Sequence, residues 1–270
     1  MPELPEVETV RRQLEPLVLG RRIVAAGGHP SAKFATAVEA AGSTVVGLVR
    51  RGKYLLFELD SGHELVVHLG MTGRLEVVPH DGSSDDPTTP YVRAWWSFGD
   101  EMLHLHDVRR FGRVAVVPAG DYGALPTLAA LGPEPLDDGF EPDHLWQALR
   151  RSRARLKTQL LSQRPVAGVG NIYADEALWL AGIDPGARTL SRARAAHLHA
   201  ALVDVLRAGV EHGGTTLRDY RTPDGSTGTN QLHLKCYGRW GEPCERCGEL
   251  LARRVIDGRT TTWCRTCQRR

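Results

Sequence analysis

The sequence contains few cysteines and no long apolar run. Of its five cysteines, four lie between Cys244 and Cys267, whereas a secreted disulfide scaffold would normally have them spread along the chain. No apolar stretch reaches the roughly 18 to 20 residues that a membrane span needs, and the N-terminus is acidic where a signal peptide is basic. We therefore expect a cytoplasmic protein with no membrane partner. Nothing in the sequence predicts an oligomer, so a monomer is expected.

Lysine is also scarce: four lysines occur beside thirty arginines, and the formal net charge is only +2. Residues 235–270 nevertheless contain nine Lys and Arg against four Asp and Glu, which gives 9 − 4 = +5 for this segment and −3 for the rest. A basic C-terminus and an excess of arginine favour the phosphates of a nucleic acid as ligand. A solvated charged tail would have the same composition.

The spacing of apolar residues divides the chain into successive parts. Residues 6–19 have helical spacing. Between residues 23 and 117, short alternating segments predict a β-sandwich or barrel with a loop over residues 79–90, and the strands are expected at residues 44–49, 54–59, 64–69, 93–98, 102–106 and 113–117. A linker near residues 131–138 comes next. Four helices are then predicted, over residues 142–151, 154–162, 171–181 and 191–211, the last two with Asn171 and Ser191 as N-caps.

The spacing Cys244-x2-Cys247-x16-Cys264-x2-Cys267 is the strongest chemical signal in the sequence. Two pairs of thiolates at this spacing predict a closed tetrahedral zinc site, which has no open coordination position for catalysis. In so small a module the metal would supply most of the folding free energy, on the order of 10 kcal/mol or more. The alternative is a set of unrelated buried or redox-active cysteines. Cys236 falls outside the pattern and is expected to be an ordinary small residue.

Three further motifs are compatible with DNA binding but are less specific. In residues 165–176 a glycine turn precedes a helix N-terminus, which suits a phosphate, although a plain helical hairpin would look the same. In residues 107–112 an aromatic residue follows two arginines, so it is either a wedge for a base stack or a buried phenylalanine in a surface turn. Met71, in a similar turn, either probes DNA or packs in the core or within the turn.

Taken together, these segments closely resemble the formamidopyrimidine-DNA glycosylase family, which also contains endonuclease VIII. The similarity covers almost the entire chain, and six motifs occur in the order that the family has. They are residues 1–12 (MPELPEVETVRR), residues 51–56 (RGKYLL), the turn at Met71, residues 109–112 (RRFG), residues 168–173 (GVGNIY) and residues 237–239 (YGR), which lead into the four cysteines.

The resemblance implies an α+β multidomain fold with three domains. These are an N-terminal helix with a β-sandwich over residues 1–130, a helix-two-turn-helix domain over residues 131–230, and a zinc-finger β-hairpin over residues 231–270. A flexible loop near residues 213–230 is expected to close over an extruded base. One structural Zn²⁺ is implied as the cofactor, and damaged double-stranded DNA as the partner.

The resemblance also implies a catalytic N-terminus. Pro2, exposed once Met1 is removed, is expected to attack C1′ of a damaged nucleotide, and Glu3 to act as general acid on the opening sugar. Glu6 matches a second acidic residue near the active centre. An unperturbed α-amino group has a pKa near 8 and a lysine near 10.4, so at neutral pH Pro2 is a better nucleophile than Lys53.

Contacts with DNA follow from the same resemblance. The phosphate-binding positions around the lesion match Lys53, Asn171 and Arg259. The positions that fill the gap left by a flipped nucleotide match Met71, Arg109 and Phe111. Arginine as a donor suits cytosine opposite a damaged guanine, so we expect a bifunctional glycosylase and lyase of base excision repair that removes 8-oxoguanine and formamidopyrimidines by β,δ-elimination.

Two segments depart from the family pattern, and three other functions compete. Residues 229–231 lack an expected aromatic residue, which leaves base recognition there open, and residues 28–34 differ from the commonest members. The alternatives are a catalytically silent DNA-binding zinc protein, an endonuclease VIII-type enzyme acting on oxidised pyrimidines, and a gene regulator. The presence of Pro2, Glu3 and Lys53 disfavours a catalytically silent protein. A gene regulator with a single zinc finger would leave most of the chain unexplained.

Overall fold

A computed structural model describes residues 1–80, 90–217 and 220–269. Nearly all of the loop predicted over residues 79–90 lies outside the described residues. The same holds for two positions, 218 and 219, of the predicted closing loop. Within the described part, no helix is both long enough and apolar enough to cross a bilayer.

The chain forms two compact units. The first consists of residues 1–129 together with residues 213–229, and the second of residues 130–212 together with residues 230–270. The segment over residues 213–229, predicted to be a closing loop, therefore packs with the N-terminal part of the chain. The three-domain division proposed from the sequence stays a prediction.

The first unit contains a helix, α1 (Leu4–Val18), and two four-stranded antiparallel sheets. The strands are β1 (Ala25–Gly28), β2 (Val45–Arg51), β3 (Tyr54–Leu59), β4 (His63–His68), β5 (Arg74–Pro79), β6 (Val92–Ser97), β7 (Glu101–His106) and β8 (Arg113–Pro118). Their orders are β1-β6-β7-β5 and β2-β3-β4-β8. Strands β1 and β5 are additional to those predicted, and the Ala-Ala-Gly-Gly sequence of β1 carries no strand signal because both residues are depleted in strands.

One apolar core joins α1 to both sheets. Apolar residues at Val7, Val10 and Leu14 recur at helical spacing, and all are almost completely buried. They belong to the same cluster as Phe57 of β3 and Trp96 of β6, which come from different sheets. This packing confirms the predicted N-terminal helix and β-sandwich, because the apolar faces of the helix and both sheets are buried together.

The second unit is helical with a short hairpin. After α2 (Pro126–Ala129), which ends the N-terminal part of the first unit, come α3 (Pro142–Arg150), α4 (Leu156–Leu161), α5 (Asn171–Leu180), α6 (Arg192–Glu211), β9 (Ala252–Ile256) and β10 (Arg259–Trp263). Short 3₁₀ helices cover Ala35–Ala40 and Asn230–Leu232.

The predicted N-cap Ser191 of α6 is confirmed, since its side chain accepts a hydrogen bond from the Arg194 amide at 3.3 Å. The predicted cap Asn171 is wrong: Gly170 is the N-cap of α5, and Asn171 is its first helical residue.

A buried ion pair fastens the hairpin to the helices of the second unit. Lys157 Nζ of α4 lies 2.6 Å from Asp175 Oδ1 of α5, and both side chains are fully buried. Lys157 also donates to Thr260 O and Thr261 Oγ1 of β10, at 3.0 and 2.9 Å, and Asp175 accepts from the Thr262 amide at 3.0 Å. Both charges are therefore paired and hydrogen-bonded, as burial requires.

Replacing Asp175 by Asn should strongly destabilise the second unit. The substitution leaves the Lys157 ammonium buried without a counter-charge, which typically costs about 3–5 kcal/mol. The free energy of unfolding, measured by denaturant titration with zinc present, is the readout. Asp143→Asn is the matched control, because Asp143 forms an exposed ion pair with Arg192. Equal effects of the two substitutions would contradict a structural role for the buried pair.

Candidate functional site

The N-terminus of α1 is organised by two buried carboxylates. Pro2, Glu3 and Glu6 are all buried, with Glu3 2% and Glu6 1% exposed. Glu6 Oε2 accepts from the Glu3 amide at 2.7 Å, which is half of a capping box, and Glu6 Oε1 accepts from the Thr215 amide at 2.6 Å. Glu6 therefore fixes the first turn of the helix beside Pro2 and also holds the segment over residues 213–229.

That segment approaches Glu6 so closely that it requires glycine. Gly214 has φ +85°, and a Cβ there would lie 2.9 Å from Glu6 Cγ. A Cβ on Gly228 would lie 2.1 Å from Gly214 O, so the two ends of the segment touch backbone to backbone. Tyr220 donates to Gly213 O at 3.2 Å, and burial together with the charge of Glu6 raises the pKa of its hydroxyl.

Lys53 lies in a tight turn between β2 and β3. Gly52 and Lys53 form a two-residue connection, because Arg51 pairs with Tyr54 in the ladder. Gly52 has φ +59°, the conformation that a type II′ turn needs at its first position. Lys53 is only 3% exposed. The pKa of His68 is lowered to about 4, first by burial and next by the charge of Lys53.

Met71, Arg109 and Phe111 form a single exposed cluster. Arg109 Nη1 lies 3.8 Å from Met71 Sδ, and the guanidinium carbon lies 4.5 Å from the centre of the Phe111 ring. Met71 is 39% and Phe111 46% exposed, so neither is a core residue. The alternatives of a buried Phe111 and a core Met71 are therefore wrong.

Asp107 holds the two loops that carry this cluster. Its fully buried carboxylate accepts from Thr72 Oγ1 at 2.6 Å and from the Gly112 amide at 2.7 Å. Thr72 Oγ1 in turn accepts from the Arg109 amide at 3.3 Å. The exposed side chains thus stand on a backbone fixed by a buried, hydrogen-bonded acid.

Asn171 and Arg259 lie close together in the second unit. Asn171 Nδ2 donates to the carbonyl of Thr260, the residue after Arg259, at 3.2 Å. Arg259 follows a two-residue turn in which Asp257 and Gly258 both have positive φ, as a type I′ hairpin requires. Arg259 is exposed, and its side chain makes no hydrogen bond or ion pair with the described residues.

The four predicted metal ligands meet at one point. The Sγ atoms of Cys244, Cys247, Cys264 and Cys267 all lie within 4.8 Å of one another. A tetrahedron with Zn–S bonds near 2.3 Å has sulfur atoms about 3.8 Å apart, so the arrangement fits one zinc ion. Cys236 is fully buried, is not part of this group, and donates from its thiol to Thr262 O at 3.1 Å.

The end of α5 packs directly against the zinc-binding cysteines. Trp179, 6% exposed, donates from its indole N–H to Cys244 Sγ at 3.4 Å. Arg246, between two of the cysteines, donates to the last carbonyls of α5, Trp179 O and Leu180 O, at 2.8 and 2.7 Å. Its guanidinium lies 4.2 Å from the centre of the Trp179 ring. The metal site and the helix that begins at Asn171 therefore form one assembly.

The fold and the cysteine cluster define a zinc-finger protein built on a β-sandwich and a helical domain. Family models match three consecutive regions. They are the formamidopyrimidine-DNA glycosylase N-terminal domain over residues 1–114, its H2TH domain over residues 131–221, and a zinc finger found in FPG and IleRS over residues 241–270. The chain belongs to the formamidopyrimidine-DNA glycosylase family, and its four cysteines bind one structural zinc ion.

Individual relatives match over their full lengths. The formamidopyrimidine-DNA glycosylase of Thermus thermophilus is 47% identical over 99% of this chain and 98% of the relative. The crystal structure of the MutM (FPG) protein from that organism has a TM-score of 0.91, 46% identity and the same coverage. A Lactococcus lactis FPG mutant in complex with Fapy-dG-containing DNA has a TM-score of 0.89 and 36% identity, with complete coverage of both chains. MutM in complex with carbocyclic 8-oxo-G-containing DNA has a TM-score of 0.88 and 35% identity, also with complete coverage of both chains.

Several residues that build the site were not predicted from the sequence. Asp107 supports the exposed cluster, Thr215 pairs with Glu6, and Trp179 bonds a zinc-binding cysteine. Lys157 and Asp175 join the β9–β10 hairpin to α4 and α5. A usable signal existed for Lys157 and Asp175, because Lys157 is one of four lysines and Asp175 lies, with Glu176, between the apolar halves of α5.

Trp179→Phe should weaken zinc binding by about tenfold, because loss of a hydrogen bond to a metal ligand typically costs 10- to 100-fold in affinity. The substitution keeps an aromatic ring but removes the N–H donor to Cys244 together with the second ring of the indole, so the control must lose the same volume. Competition with a chromophoric chelator measures the zinc affinity. Trp146→Phe, on α3 beneath Arg150, is the matched control. If both variants retain zinc equally well, the indole N–H does not stabilise the metal site.

Proposed function

We propose that this protein is a bifunctional DNA glycosylase and lyase of base excision repair that removes oxidised purines. The observation that carries the proposal is the N-terminus: Pro2 lies at the buried start of α1, beside the hydrogen-bonded pair Glu3 and Glu6. Structures of relatives in complex with Fapy-dG-containing and carbocyclic 8-oxo-G-containing DNA support the choice of purine lesions. Arg109, an exposed donor, suits the cytosine opposite a damaged guanine.

The proposed reaction uses the proline nitrogen after Met1 is removed. Its lone pair attacks C1′, the bond from C1′ to the base breaks, and the base departs with a proton. Opening of the sugar leaves an iminium between Pro2 and C1′, which acidifies the C2′ proton. Loss of that proton expels the 3′ phosphate, and a second elimination expels the 5′ phosphate. Hydrolysis of the iminium then returns the free amine.

Glu3 and Glu6 have different surroundings, which suits different roles. Each carboxylate oxygen of Glu6 accepts a backbone N–H, at 2.7 and 2.6 Å, and such bonds favour the ionised form. Glu6 is therefore proposed to position the first turn and to remain a carboxylate. Glu3, adjacent to Pro2, is proposed to donate the proton to the opening sugar.

Chemistry at C1′ requires that the damaged nucleotide leave the base stack, at a cost of a few kcal/mol. The exposed cluster of Met71, Arg109 and Phe111 is proposed to fill the gap. Because Asp107 fixes the backbone beneath it, little conformational entropy is lost when the cluster enters the duplex. The loop near residues 213–230 is proposed to close over the extruded base.

Lys53, Asn171 and Arg259 are proposed to bind phosphates around the lesion. Asn171 uses one amide hydrogen on Thr260 O, which leaves a second for a phosphate oxygen. Arg259, exposed at the tip of the zinc hairpin, has no ion pair to break among the described residues. All of these residues come from one chain, so a monomer suffices. Zinc-binding thiolates need a reducing compartment, which supports the cytoplasm and, with DNA bound, the nucleoid.

A borohydride trap tests the proposed chemistry. Duplexes containing 8-oxoguanine or formamidopyrimidine opposite cytosine should each give a covalent adduct that peptide mapping places on Pro2. A thymine glycol duplex should give much less adduct, and the reverse order would favour an endonuclease VIII-type specificity. Protein that retains Met1, verified by intact mass, is the control and should form none. Failure of protein lacking Met1 to trap any lesion would leave a silent DNA-binding protein as the better interpretation.

Arg259→Ala should weaken binding to every duplex by about tenfold, whatever its sequence. Removal of one phosphate contact should also reduce the slope of log K against log salt by about 0.9. Binding to a duplex with a tetrahydrofuran abasic analogue, measured over a salt series, provides both numbers. Arg192→Ala, at an exposed arginine paired with Asp143, controls for a general loss of charge. An unchanged slope would remove Arg259 from the phosphate-binding set.

A further inference from the structure

We propose that a cation-lined cavity beside Phe111 binds one phosphodiester of the DNA backbone, held by Arg113 and Lys33. The inference rests on the proposed function, because it adds a contact to the same DNA-binding surface. The cavity lies in the first unit and has a volume of about 290 Å³. The lining side chains that matter here are Lys33, Tyr54, His68, Phe111, Arg113 and Thr127.

The charge of the lining points to an anion. Among the described residues that line the cavity, two are cations and none is a carboxylate. Arg113 is exposed at the start of β8, and its guanidinium has no hydrogen bond or ion pair within the described part of the chain. A planar guanidinium without a protein partner has all its donors available, and phosphate oxygens match their geometry.

Lys33 is held in place at the rim. Its ammonium donates to Arg110 O at 2.8 Å and lies 5.8 Å from the centre of the Phe111 ring. An ammonium has three hydrogens, so two remain for a ligand. Lys33 belongs to residues 28–34, the segment that differs from the commonest family members, and this contact gives the segment a place beside the proposed DNA wedge.

His68 contributes a donor without adding charge. Its Nδ1 accepts from the Gly70 amide at 3.2 Å, so the ring proton is on Nε2. Burial, followed by the charges of Lys53 and Arg113, lowers the pKa of His68 to about 4, which keeps the ring neutral at physiological pH. The charge of Asp107 raises the pKa of His68, but this effect is smaller than the effects of burial, Lys53 and Arg113.

The last titratable group that faces the cavity is the Tyr54 hydroxyl. Tyr54 hydrogen-bonds with Thr127, and burial raises the pKa of its hydroxyl, so this group is neutral. The Tyr54 ring packs on the His68 ring with centroids 4.7 Å apart, which fixes the cavity wall. A phosphate would therefore meet two cations, of which Lys33 is held by Arg110 O, and neutral donors next to the proposed wedge.

Methylphosphonate scanning tests the assignment. Each phosphate of a tetrahydrofuran-containing duplex is neutralised in turn, and binding is measured for wild type and for Arg113→Gln. We expect Arg113→Gln to bind the unmodified duplex about fivefold to tenfold more weakly, as for loss of one bidentate charge contact. At one phosphate, neutralisation should weaken wild type by a similar factor and Arg113→Gln by less than twofold. Arg113→Lys should be intermediate, because it keeps the charge and loses the planar fork.

Two outcomes overturn the proposal. One is that no phosphate is coupled to Arg113. The other is that Arg22→Gln, a matched loss of an exposed arginine in the same unit, reproduces the coupling. Inorganic phosphate at constant ionic strength should weaken DNA binding by wild type more than by Arg113→Gln, because it competes with the phosphodiester for the same site. If protein lacking Met1 traps no lesion with borohydride, the proposed function fails, and coupling between Arg113 and a phosphate can still be measured by binding alone.

Discussion

The zinc–thiolate cluster is the constraint on which the geometry of the second unit depends. The module around Cys244, Cys247, Cys264 and Cys267 has little apolar core of its own, so metal binding must supply much of its folding free energy. Trp179 and Arg246 join this cluster to the end of α5, while the buried pair Lys157 and Asp175 joins the hairpin to α4 and α5. These contacts, together with the hydrogen bond from Asn171 to Thr260 O, fix Asn171 and Arg259 relative to each other.

A different constraint governs the first unit, where Pro2, Glu3 and Glu6 near the N-terminus are buried. Termini are usually mobile unless they are tied down, and the proposed nucleophile, Pro2, lies at the start of α1. Glu6 resolves this by bonding the Glu3 amide and the Thr215 amide with its two oxygens. Because Gly214 and Gly228 allow the same segment to lie against Glu6, the first helical turn and the proposed closing loop share one anchor.

The sequence predicted the fold wherever the signal was local. Apolar spacing predicted α1 and the four long helices within about two residues, and cysteine spacing predicted the metal site, because both patterns follow from the geometry of one element or one ion. It missed β1, whose Ala-Ala-Gly-Gly sequence pairs only because β6 lies beside it. The N-cap of α5 was predicted one residue late, at Asn171 instead of Gly170. The Asn171 side chain donates to Thr260 O of the hairpin instead of capping the helix. Such partners come from distant parts of the chain, and a single sequence does not reveal them.

The arginines show how structure refines a compositional argument. An excess of arginine predicts phosphate binding in general, yet a guanidinium already paired with a carboxylate must give up that partner before it can bind DNA. Arg50 with Glu8 and Arg254 with Asp184 are of this kind. Arg113 and Arg259 have no such partner among the described residues, and both stand beside groups that we propose contact DNA. The lack of a carboxylate partner, rather than the abundance of arginine in the sequence, therefore supports Arg113 and Arg259 as the proposed phosphate ligands.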